Sequence, residues 1–186
     1  MGLLEQAHSC QFHLLIAGEG VLRASMERIC ERDLPGAVYF LGHIRDREML
    51  ADIYANCDAL LHPNAHEPFG IAPLEAMASG LPVIGPNSGG ITSYAGSGNA
   101  ILVNADPESF AKAALLLRND PGTADAIRLA GRATAERFDW PVVASSFFAL
   151  YEELYAMVRG ERDEPATAAA FYSSHDNRRR HLGWEL

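Results

Sequence analysis

An α/β fold, doubly wound around a parallel sheet with helices on both faces, is predicted by two observations on this 186-residue chain. Short apolar runs alternate with longer amphipathic ones in a regular order, which is the pattern of consecutive βα units. Several of the short runs also end in glycine or proline turns, at the carboxyl ends of strands where open α/β sheets bind ligands.

The first run is F-H-L-L-I-A, Phe12 to Ala17, followed by Gly18-Glu19-Gly20 and a helical stretch from Val21 to about Cys30. A strand from Val38 to Leu41 comes next, then Gly42-His43-Ile44 as a turn and a helix N-capped by Asp46 that runs to Ala55. Ala59 to His62 reads as a third strand, and Asn64 to Pro68 as a loop because the prolines at positions 63 and 68 block regular pairing. A helix is predicted from Phe69 to Ser79, stopped by Gly80, with Pro73 tolerated in its first turn. Leu81 to Ile84 is a buried strand, Pro86 to Gly90 a loop, and Ala100 to Val103 a further strand. Helices follow at Pro107 to Arg118, Thr123 to Phe138 and Pro141 to Arg159. The last carries enough apolar surface, from Val142 to Tyr155, that an exposed apolar patch is expected. From Gly160 onward apolar periodicity stops, so the organisation expected is one domain over 1–159 and a flexible tail over 160–186.

Composition narrows the function. Hydrophobic residues at 48% and charged residues at 21% are those of an ordinary globular chain. A formal charge of -9 argues against nucleic acid as a partner, since phosphate backbones are bound by clustered Lys and Arg. Cys10, Cys30 and Cys57 form no C-x-x-C pair, which leaves a disulfide or zinc framework unsupported. No apolar stretch has the length to span a bilayer and no leader pattern opens the chain, so a cytoplasmic location is expected. Ser88-Gly89-Gly90 has no partnered base, and Gly18-Glu19-Gly20 has Arg23 where a dinucleotide fingerprint needs a third glycine.

The informative stretch runs from His62 to Gly90. Between Pro68 and Pro86 its only charged residue is Glu75, whose helical neighbours Ile71, Leu74 and Ala78 are apolar, so its surroundings are expected to be largely core. A carboxylate there needs hydrogen-bond donors, and the vicinal hydroxyls of a ribose would serve. Glu67 precedes the same helix with seven residues between the two. Phe69, Gly70 and Ile71 supply backbone N–H groups at a helix N-terminus, a natural phosphate site, with Gly70 permitting close approach. Taken singly, each glutamate has a bland reading as well: Glu67 in the field of the helix dipole, Glu75 pointing to solvent or to an arginine. His62 and His66 flank the loop and could act as acid or base, but a histidine near a strand end is more often structural.

The segment E-P-F-G-I-A-P-L-E, followed by A-M-A-S-G-L-P-V-I and Gly89-Gly90, resembles the donor-site signature of family-4 retaining glycosyltransferases of the GT-B fold. The likeness covers most of residues 10 to 158. It implies a Rossmann-like domain that forms the C-terminal, donor-binding half of such an enzyme, with the family's first strand segment and its N-terminal acceptor-binding domain not present in this chain. It implies further that Glu67 contacts the transferred sugar as the catalytic carboxylate, that the amides of Phe69 to Ile71 hold sugar or phosphate, and that Glu75 takes the ribose hydroxyls. Gly18 and Gly20 would border the nucleotide and Ile44 would lie near the base. The partner is then a nucleoside diphosphate sugar, with no cofactor and no metal, in keeping with the absence of an Asp-x-Asp motif, and any membrane contact would be peripheral and made through the other half. Between Arg47 and Lys112 the chain has no Lys or Arg, and the family brings an Arg and a Lys to the pyrophosphate from further upstream. The chain alone is therefore expected to be incomplete and inactive. The alternative is a non-catalytic nucleotide-sugar-binding module or one subunit of a split enzyme.

Overall fold

In the computed structural model, which describes residues 12–159, every strand pairing is parallel. β1 (Leu14–Ala17) pairs with β2 (Val38–Gly42) across α1 (Arg23–Asp33). α2 (Arg47–Ala55) then leads to β3 (Leu60–Leu61), and α3 (Ile71–Ala78) connects β3 to β4 (Val83–Pro86). A 3-10 turn (Gly90–Ser93) precedes β5 (Ile101–Val103), and α4 (Pro107–Asn119) and α5 (Pro121–Glu136) follow.

The single sheet expected from the sequence is two ladders, β1-β2 and β3-β4-β5, with no strand hydrogen bonds joining them among the described residues. Beside β1 lies a cavity of about 310 Å³, lined by Leu15 and by Met49, Asp52, Ile53, Asn56 and Cys57 from α2 and the turn after it. The effect on burial is direct. β4 has a neighbour on each side and is buried along its whole length, whereas β1 has one neighbour among the described residues and alternates half-buried with exposed residues, Leu15 being 42% exposed.

β4 also divides the core. Val83 belongs to a cluster with Leu74, Met77 and Ala135, and Ile84, pointing the other way as the strand period requires, belongs to one with Phe110, Leu117 and Ile127. The β3-β4-β5 ladder is thus covered by apolar helix residues on both faces, as the sequence predicts. Asp46 caps α2 by accepting from the amides of Glu48 and Met49, and Asp120 both closes α4 and opens α5 by accepting from Thr123.

Several predicted boundaries moved by a few residues, two of them for identifiable local reasons. The helix predicted from Phe69 begins at Ile71, because Gly70 sits at φ 88° and starts the helix from a left-handed conformation. The strand predicted over Leu81 to Ile84 is shifted to Val83–Pro86; Pro82 has no N–H to give a ladder and instead accepts from the Leu60 amide through its carbonyl.

The chain divides into two compact units after Arg137. The second contains α6 (Trp140–Val158), N-capped by the Asp139 carboxylate on the Trp140 amide. None of its residues is buried, and Phe147, Phe148, Tyr151 and Tyr155 are each more than half exposed, which is the apolar surface expected of this helix. No helix among the described residues is long and apolar enough to cross a membrane. The expected tail over 160–186 and the first eleven residues lie outside the described residues.

Candidate functional site

The loop from His62 to Gly70 leaves the carboxyl end of β3 and is locked against the segment that leaves β4. Gly90 donates its amide to the Glu67 carbonyl at 2.8 Å. A Cβ on Gly90 would stand 2.0 Å from the Pro68 carbonyl oxygen, and one on Gly89 would stand 2.5 Å from that of Ala65. The G-G pair is there because two backbones touch.

Within the loop, Asn64 donates from Nδ2 to the Glu67 carboxylate at 2.9 Å and accepts from the His66 amide at 3.1 Å. Phe69 packs on Tyr94 with ring centroids 5.2 Å apart, and the Tyr94 hydroxyl donates to the Gly70 carbonyl at 2.6 Å. Burial, with the Glu67 charge behind it, pushes the Tyr94 hydroxyl up to about 12, so it remains a donor at every physiological pH. No side chain caps the N-terminus of α3. An uncapped helix head preceded by a carboxylate-bearing loop can take a phosphate on its amides and a hydroxyl on its carboxylate.

Glu75 corrects the sequence reading, because it is exposed rather than surrounded by core. α3 buries Pro73, Leu74, Ala76 and Met77, and Glu75 lies on the opposite side with Ile71, Ala72 and Ala78, all of them exposed. Of the neighbours counted as core, Leu74 is buried, but Ile71 and Ala78 are apolar without being buried. The carboxylate needs no internal donor and faces outward within the field of Tyr54, whose hydroxyl is pushed up by burial and then by the Glu75 charge.

The other residues singled out from sequence gather elsewhere. Gly18, at φ 127°, donates to the Gly42 carbonyl at 2.7 Å, and Gly20 accepts from the Arg23 amide at 3.1 Å. Ile44 follows Gly42, half-buried, before α2. Beside that turn is a pairing the sequence reading did not foresee: Arg23 bonds Glu19 and Glu27, the latter at 2.8 Å. Its i, i+4 spacing from both acids was the available signal. Tyr94 and Asn64 were also missed. Asn64 stands three residues from Glu67 and could have been found as an Asx turn, but nothing local marks Tyr94. Among the described residues no cluster of His, Cys, Asp and Glu could hold a metal ion.

His62 offers a test of loop electrostatics. Its Nε2 is buried without a hydrogen-bond partner, and burial holds the imidazole below the usual histidine range against the opposing Glu67 charge. The folded state therefore resists the proton that the unfolded chain accepts. The stability from neutral His62 is present above about pH 6.5 and is lost as pH falls below that value and through the lower folded one. His62→Gln is expected to flatten the fall in urea midpoint between about pH 7 and pH 5; an unchanged slope would show that His62 does not titrate differently on folding.

A family model described as glycosyl transferases group 1 matches residues 2–120. Over 136 residues the chain is 35% identical to a GDP-mannose-dependent alpha-(1-6)-phosphatidylinositol dimannoside mannosyltransferase of Mycobacterium tuberculosis, a match covering 73% of this chain and 34% of that protein. It is 33% identical over 159 residues to a glycogen synthase of the same species, covering 80% of this chain and 36% of the relative. The chain thus spans about a third of the length of these relatives. Among solved structures, sucrose-phosphate synthase from Thermosynechococcus elongatus superposes with a TM-score of 0.69 at 28% identity, over 84% of this chain and 42% of that one. Anabaena HepE in complex with UDP superposes with the same TM-score at 23% identity, over 81% and 44%, which shows a shared fold.

Proposed function

This chain belongs to the glycosyl transferases group 1, and from that premise we propose that it binds the donor for a reaction that moves a sugar from a nucleoside diphosphate sugar to an acceptor hydroxyl with retention of configuration. The observation that carries the reading is the uncapped head of α3, with the Glu67 carboxylate on the loop before it and the exposed Glu75 one turn along the helix. Phosphate would lie on the amides of Phe69 to Ile71, ribose on Glu75, and the transferred sugar against Glu67, with Gly18, Gly20 and Ile44 bordering nucleotide and base. In this reading the protein contributes position and charge stabilisation and needs no metal or cofactor. UDP bound to the Anabaena neighbour and GDP-mannose in the name of the mycobacterial relative support a nucleotide-linked donor. The stretch in hand covers about a third of its relatives' length, and transfer by it alone is not expected.

Calorimetric titration with UDP, GDP and ADP tests the reading. The wild-type chain is expected to bind one of the three. Glu75→Ala is expected to weaken that binding by about tenfold or more, the loss of hydrogen bonds to a charged acceptor. Equal affinity in the variant would remove ribose from Glu75, and no binding of any of the three would remove the donor reading.

A further inference from the structure

Tyr94 is the polar side chain that reaches the proposed phosphate site from beneath. It is 7% exposed, and its main chain is fixed from a distance: Asn99 donates from Nδ2 to the Tyr94 carbonyl at 2.9 Å and to Thr134 Oγ1 of α5 at 2.8 Å, and accepts from the Gly96 amide at 2.7 Å. The hydroxyl at the far end donates to the Gly70 carbonyl at 2.6 Å. A peptide unit is planar, with C=O and N–H pointing in opposite directions, so a carbonyl held toward Tyr94 turns the Ile71 N–H away from the buried ring and outward. Glycine at φ 88° and ψ 84° has ready access to other conformations, and rotation of that peptide would present a carbonyl oxygen to an anion in place of an amide.

We propose that Tyr94 is a positioning residue for the donor phosphates, its hydroxyl holding the Gly70 carbonyl so that the Ile71 amide at the head of α3 faces the ligand. The inference rests on the donor reading above. The neighbouring contact supports the same frame, since Gly90 holds the Glu67 carbonyl at 2.8 Å from the turn that ends at Tyr94. Its ring packs on Phe69 while its hydroxyl bonds the Gly70 carbonyl, so the effect of the hydroxyl would reach the Ile71 amide through one peptide plane.

The test is Tyr94→Phe in the full 186-residue chain, which keeps the ring and its packing on Phe69. At a temperature well below melting, its affinity for whichever of UDP, GDP and ADP the wild type binds is expected to fall about three- to tenfold, the value of one hydrogen bond. Affinity for the matching nucleoside, which lacks phosphate, should not change. A second reading needs no ligand: in amide NMR spectra the Ile71 resonance is expected to broaden or split in Tyr94→Phe while those of β4 stay put. Unchanged nucleotide affinity in a variant of a chain that does bind overturns the proposal alone. An equal loss for nucleoside and nucleotide, or an unaltered Ile71 resonance, overturns it as well. A wild-type chain that binds none of the three nucleotides removes the donor reading and this proposal together.

Discussion

Gly90→Ala is expected to lower the unfolding free energy by about 3 kcal/mol or more, measured as a shift in urea midpoint at unchanged slope. The added methyl would meet the Pro68 carbonyl oxygen at 2.0 Å, the Pro68 carbonyl carbon at 2.2 Å and the Phe69 nitrogen at 2.5 Å. These are backbone atoms of a loop already fixed by its own bonds, so relief requires separating the two segments and losing the Gly90 to Glu67 hydrogen bond. Gly85→Ala is the internal comparison: its methyl would stand 2.6 Å from Ile91 Cδ1, the end of a side chain that can rotate, and the cost should be smaller. Equal stability of the Gly90 variant and the wild type would mean that the loop pairing is not maintained in solution.

Met77→Ala is expected to cost about 2 to 5 kcal/mol, because the side chain is 1% exposed at the centre of the larger core cluster and its removal leaves a void that the surroundings fill only in part. Gly131 of α5 comes close, a Cβ there falling 3.3 Å from Met77 Cγ. Gly131→Ala combined with Met77→Ala should therefore recover part of the loss, read as a double-mutant cycle in denaturant unfolding. A loss under about 1 kcal/mol for Met77→Ala alone would show that the interface between α3 and α5 is loosely packed.

Much of the fold was legible because it is local. Apolar runs located the strands, Asp46 marked the head of α2, and the Glu67 to Gly90 stretch announced the loops that carry the candidate site. What escaped was non-local or conformational. Pairing between β1 and β3 depends on edges 40 residues or more apart in sequence, and no composition reports whether two ladders close into one sheet. Burial of Glu75 was inferred from the hydropathy of Ile71, Leu74 and Ala78, yet Ile71 and Ala78 are exposed, and hydropathy bounds burial in one direction only. Tyr94 bonds a carbonyl 24 residues upstream, beyond the reach of any periodicity argument. The left-handed Gly70 moved the helix start by two residues, and its carbonyl is the one the tyrosine bonds.

The gap between ladders bears on the thermodynamics of occupancy. The Gly18 to Gly20 turn rides on one plate and the Glu67 loop on another, and among the described residues no ladder hydrogen bonds join the two. A ligand that spans both would limit any motion of one ladder against the other, and that entropy would be subtracted from its contact energy. Small ligands that touch a single plate escape this cost. A nucleotide long enough to reach both would register in calorimetry as a larger favourable enthalpy set against a larger entropic loss.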